Sequence, residues 1–279
     1  MKRTAYDAPT ELFREHYELA EQARYLKSAA NLGVDAPIGN SLPALLDYHK
    51  IVLLEYPIKR VGSDSFSAML MRSKVGSTSF SFIGVNTSDY YDKQLFAIAH
   101  ELYHFNVHDV PHISRDGDSS NPEERKAEYF AAELLLPLEV VRRTIMKEFG
   151  AINISTLPKS TLLRFVARLH CAWWLPYKAI VKRLLEACAI TSAVFDELYA
   201  VDERTPTGQY YRIGLSTNSQ YFTLLNTVTD KVGTSASNLE DALRNYEDDI
   251  ISEDELIRGL QLFDVKPEDF GVDCTEYPV

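Results

Sequence analysis

The 279-residue sequence predicts an α+β fold: a helix-rich domain with one small β-sheet, then a helical segment, then a smaller α+β region at the C-terminal end. Three observations predict it. Apolar residues recur at helical spacing through much of the first 200 positions. Three short apolar runs, bounded by turn residues, interrupt that pattern between positions 51 and 85. Directly after them, a helical pattern carries His100-Glu101-Leu102-Tyr103-His104, an H-E-x-x-H sequence.

Taken in order, residues 10–31 read as a helix, with Thr10 as a possible cap and Leu12, Phe13, Tyr17, Leu19, Ala20, Ala23 and Leu26 as a broad apolar stripe. Gly33, Pro37 and Gly39 break it, and Ser41 is placed to cap a short helix over 42–49. Residues 51–55, 66–71 and 79–85 read as strands, with 62–64 and 74–77 as turns; the third is the candidate for an edge beside the next helix. In that next helix Leu95, Ala99 and Leu102 form an apolar stripe, and His100, Glu101, His104 and His108 form a polar one. Residues 108–120 read as a polar loop. A helix over 122–136 follows, with Asn121 as N-cap, Pro122 at its first position and Glu123 and Glu124 at the positive end of its dipole. Helices are expected over 138–149, stopped by Gly150, and over 159–171 and 176–189. A polar stretch at 201–208 marks a boundary between a domain over 1–200 and an accessory region over 201–279. That region is expected to hold strands at 210–216 and 221–228 and helices at 239–246 and 252–262.

The chemistry concentrates at 100–124. On a helix, His100 and His104 stand one turn apart on one face, the spacing at which two imidazoles bind one Zn²⁺. Glu101 then lies beside the metal, placed to take a proton from water. A third protein ligand is required, and the 122–136 helix supplies it. Glu124 lies on the face of Ala127 and Ala131 and is the first candidate; Glu128 is the second, and Glu123 and Glu133 point outward. His108 lies about 12 Å along the axis from His100, too far to share one ion, and reads as a residue closing the helix. His112, Tyr103 and Tyr129 are candidate donors to a developing oxyanion, with packing as the plainer role for the tyrosines.

These residues resemble the ImmA/IrrE family of zinc metallopeptidases. HELYHFNVH matches the family's H-E-L-x-H-x-x-x-H, and Glu124, Ala127, Phe130, Ala131, Leu134, Leu135 and Pro137 match E-x-x-A-x-x-F-A-x-x-L-L-x-P. Tyr103 stands where the family usually has Gly, Leu136 where it often has Met, and Glu128 where it often has Asn. The resemblance is clear over about residues 40 to 140. It implies a zincin-like domain with His100, His104 and Glu124 as metal ligands and Glu101 as catalytic base. It further implies an endopeptidase that cleaves a helix-turn-helix transcriptional repressor and so switches on stress, mobile-element or phage-defence genes. In some relatives single-stranded DNA is the trigger.

Composition bounds the alternatives. A net charge of −11 disfavours broad electrostatic binding to nucleic acid. Residues 165–190 have the shape of a helix-turn-helix, in which Lys178, Lys182 and Arg183 are either DNA contacts or parts of a helical pair packed on the core; the acidic balance favours the second, and His170 reads as structural. Three widely spaced cysteines, Cys171, Cys188 and Cys274, suit a reducing cytoplasm rather than a disulfide framework. There is no secretory leader pattern and no apolar run long enough to span a membrane. The competing reading is a non-catalytic zinc-binding regulator that binds a repressor; Glu101 speaks against it, because a scaffold needs no base at that position.

Overall fold

The fold is given by a computed structural model, which describes residues 7–59, 66–107, 112–115 and 121–272. The first helix, α1 (Asp7–Ala29), buries Leu19, Ala23 and Leu26 at helical spacing. Thr10 lies inside it and is not its cap. Near its end Lys27 is enclosed, and its ammonium donates to the carbonyls of Val34 (2.8 Å) and Ala36 (3.0 Å). Burial pushes its pKa down to about 8. A short helix, α2 (Leu42–Tyr48), turns Leu42, Leu45 and Leu46 inward.

The sheet follows as β1 (Ile51–Tyr56), β2 (Phe66–Val75) and β3 (Thr78–Asn86), joined later by β4 (His112–Arg115) and β5 (Gly233–Thr234). Among the described residues the strand order is β4-β2-β3-β1-β5. β1 and β3 run parallel; the other pairs are antiparallel. Two corrections to the sequence reading arise here. β3, expected at an edge, lies in the middle of the sheet between β1 and β2. The stretch expected as an unbroken loop over 108–120 contains β4, which forms the edge instead. Its four residues are too few for alternation to show.

Against this sheet packs α3 (Tyr91–Val107), and α4 (Pro122–Leu135) packs on α3 and α1. Asn121 caps α4 by accepting from the Glu123 amide, with Pro122 at the first position. α5 (Leu138–Phe149) ends at Gly150, whose φ of 64° is the left-handed cap that Gly adopts without strain. α6 (Lys159–Trp173), α7 (Tyr177–Glu186) and α8 (Ser192–Tyr199) extend the core.

The expected strands at 210–216 and 221–228 are helices, α9 (Gln209–Thr217) and α10 (Ser219–Leu225). Short apolar runs do not distinguish the two periods. The deciding features are a cap, Asn218 accepting from the Tyr221 amide, and a close approach at Gly214, where a Cβ would run into the Phe222 ring. Tyr210, Phe222 and Leu225 are fully buried in the same core as α3 and α6, so residues 201–208 do not end that core.

Beyond it, α11 (Ala236–Glu247) and α12 (Glu253–Gln261) share a small apolar cluster of Leu243, Leu256 and Leu260. Ser252 begins α12 with a capping box to Glu255. No helix among the described residues is long and apolar enough to cross a membrane.

Candidate metal centre

The middle of α3 is buried all round, from Ala97 to His104. Its apolar side, Leu95, Ala99 and Leu102, faces the core as expected; its polar side is covered as well. Ala127 and Ala131 of α4 are fully buried, and their small side chains let the two helices approach closely. That approach brings Glu124, in the first turn of α4, against the two histidines.

The donor atoms converge. His100 Nε2 lies 3.0 Å from Glu124 Oε2, His104 Nε2 lies 3.7 Å from Glu124 Oε1, and the two Nε2 atoms are 3.3 Å apart. These three residues are the group of potential metal donors found among the described residues. A tetrahedral ion with bonds of about 2.05 Å separates its ligands by about 3.3 Å, so the spacing fits one small divalent cation. Two imidazoles and one carboxylate are also the donor set of open, reactive sites rather than closed structural ones. His100, His104 and Glu124 are 8, 1 and 5 % exposed, and Glu101 is fully buried.

Around the donors, Tyr103 donates to Glu123 at 2.9 Å. Burial, reinforced by that carboxylate, pushes the phenol above its ordinary range. Lys126 bridges Glu123 (2.9 Å) and Glu15 of α1 (3.0 Å). These hydrogen bonds, Glu123 first, raise the Lys126 ammonium.

The other candidate positions are resolved less uniformly. Glu128 is not in the donor group; its carboxylate pairs with Lys182 at 2.9 Å. Glu133, read as outward, is buried and pairs with Arg183 at 2.8 Å. The reason is that α4 is enclosed on more than one side, so a single-stripe reading fails. His112 takes the backbone position opposite Leu70 in β4. His108 and Cys274 lie outside the described residues. Tyr129 stacks on His16 at 3.9 Å, which fits packing.

The 165–190 region is a packed helical pair. Arg183 is fully buried, held by Glu133, Glu186 and the Tyr129 carbonyl. Lys178 lies over the Tyr199 ring. A feature the sequence reading missed sits at the start of α3. Asp92 is fully buried and accepts from Arg204 through both oxygens at 2.8 Å, with His170 Nε2 at 3.2 Å. Its partners lie far along the chain, and a single sequence carries no signal that joins them.

Residues 46–154, which hold the sheet strands β1 to β4 and all four site residues, match the family model of the IrrE N-terminal-like domain, Peptidase_M78. Over this segment the chain is similar to the M78 metallopeptidase family. The match covers less than half of the chain and stops before α6. No curated protein and no solved structure matches the chain. Within this matched segment the buried group of His100, His104 and Glu124 could hold a metal ion, in keeping with a metallopeptidase.

Proposed function

We propose that the chain is a zinc-dependent endopeptidase acting on a protein substrate, a helix-turn-helix transcriptional repressor in the cytoplasm, and that cleavage derepresses stress, mobile-element or phage-defence genes. The observation that carries the hydrolytic part is the convergence of His100, His104 and Glu124 inside an M78 domain, with Glu101 on the same helix. The repressor as substrate follows from the resemblance to the ImmA/IrrE family.

His100 Nε2, His104 Nε2 and a Glu124 oxygen would hold the ion, which supplies Lewis acidity toward a carbonyl and toward water. Glu101 is the general base: its carboxylate takes the proton from the attacking water and passes it to the departing amine nitrogen. Enclosure of the site keeps Glu101 and the histidines out of bulk solvent, which strengthens their interactions. The outer edge of β4, packed against α3, suits an extended substrate that adds as a further strand through backbone hydrogen bonds. Such binding reads little side-chain sequence, so repressor choice rests on contacts elsewhere.

The test is co-expression with the repressor encoded nearest to it, wild type against Glu101→Gln, with zinc measured on both. The wild type is expected to cut, and the variant to hold zinc while cutting at least about 100-fold more slowly. A variant that cuts at the wild-type rate removes Glu101 as base. A zinc-loaded wild type that leaves the repressor intact, with or without single-stranded DNA, removes the peptidase reading and leaves a binding regulator.

A further inference from the structure

We infer that Tyr103 and Glu123 form a positioning clasp that sets the geometry of the metal ligands; this rests on the metal-site reading above. Each residue is the immediate neighbour of a ligand: Tyr103 precedes His104 on α3, and Glu123 precedes Glu124 on α4. Their hydrogen bond, 2.9 Å long, is therefore a direct tie between the two ligand-bearing turns. A phenol donating to a carboxylate is a charge-assisted bond, stronger than a neutral one.

The tie has a physical purpose. Glu124 sits in the first turn of α4, where backbone amides lack intrahelical partners and fraying begins. A ligand in such a turn needs support from outside its own helix. Asn121 caps the turn, but a cap fixes the local backbone and not its distance from α3. The Tyr103 bond supplies that distance. The ring is rigidly held: the residue is 2 % exposed, its ring meets the His104 ring edge-on at 5.2 Å, and it lies 5.8 Å from Phe130. Lys126 then links the other Glu123 oxygen to Glu15, so the clasp is backed by α1. Tyr103 acts here as a positioning residue: its hydroxyl donates to the neighbour of a ligand.

The test is a zinc competition titration on the full-length protein, stripped of metal, against a chromophoric chelator. Tyr103→Phe and Glu123→Ala are each expected to weaken zinc binding about 10-fold, the low end for residues outside the ligand set, since Glu123 is partly exposed. The double variant should be little worse than either single one, because both remove the same bond. Glu123→Gln keeps an acceptor oxygen but loses the charge, and should weaken zinc binding less than Glu123→Ala does. Glu123 lies toward the surface, so its variants keep the test valid even if Tyr103→Phe folds poorly. Losses that add fully in the double variant, or wild-type affinity in both single variants, overturn the clasp. His104→Ala separates the two levels: if it binds zinc as tightly as the wild type, the metal centre itself is wrong and the clasp goes with it.

Discussion

At the scale of single residues, the decisive fact is that two carboxylates on one helix have different fates. Glu124 and Glu128 stand one turn apart on α4, both near its inner face, and the sequence pattern leaves the choice of ligand open. The structure separates them by their partners. Glu124 lies against both histidines, whereas Glu128 reaches outward to Lys182. Removal of a ligand oxygen costs more than removal of an outer partner, so Glu124→Gln should weaken zinc binding by more than about 100-fold. Glu128→Gln breaks a half-exposed pair worth at most about 1 kcal/mol and should leave zinc binding unchanged. Direct titration of both variants checks this, and equal losses would put Glu128 in the site. The approach of His100 to His104 was legible in the sequence because four-residue spacing on a helix brings two side chains to one face. Glu133 was misread because its burial depends on Arg183, fifty positions away, and not on its place in the helical repeat.

At the scale of elements, α3 is fixed at both ends. Near its C-terminal end Arg72 of β2 donates to the Phe105 carbonyl at 2.7 Å, satisfying one of the acceptors that a helix leaves open. At its start Asp92 meets Arg204 and His170. Burial alone would raise the Asp92 carboxyl; His170 and Arg204 outweigh it and hold the group below its ordinary value. The sign follows. A carboxyl lowered by folding contributes stability in full above its unfolded value, about pH 4, and loses it as pH falls through the lower folded value. Arg204→Met leaves a buried carboxylate with one partner fewer and should cost about 3 kcal/mol at neutral pH. It should also move the acid unfolding midpoint upward, because burial then weighs more heavily on Asp92. Tryptophan fluorescence against pH reads this through Trp173 and Trp174, and an unchanged midpoint would show that Arg204 does not support the carboxylate. The helix itself was legible from its period, and so were β1, β2 and β3. The contacts at its two ends were not, since they join residues 33 and 112 positions apart.

At the scale of the whole molecule, the division of the chain follows from where the apolar side chains go. The sequence places a break at 201–208 on polarity, but polarity marks any surface loop. Across that loop Tyr210, Phe222 and Leu225 enter the main core, and the next segment straps the sheet. Tyr91 donates its amide to the Thr227 carbonyl at 2.9 Å, Asp230 donates its own to Thr87 at 3.0 Å, and β5 closes the β1 edge. Among the described residues, only α11 and α12 have an apolar cluster of their own. Their ties to the rest include the Tyr56 hydroxyl donating to the Leu262 carbonyl and Ser237 donating to Asp47. We therefore place the working boundary near residue 235. A chain ending at 200 loses three large buried side chains, each worth about 2 kcal/mol, together with Arg204. That sum of about 6 kcal/mol rivals the entire stability of an ordinary domain. Such a chain should be insoluble or lack a cooperative thermal transition, whereas a chain ending at 235 should unfold cooperatively and bind one zinc. If the shorter chain folds and binds zinc as well, then α9, α10 and the strap are dispensable, and the metal helix is held by the M78 segment and α6 to α8 alone.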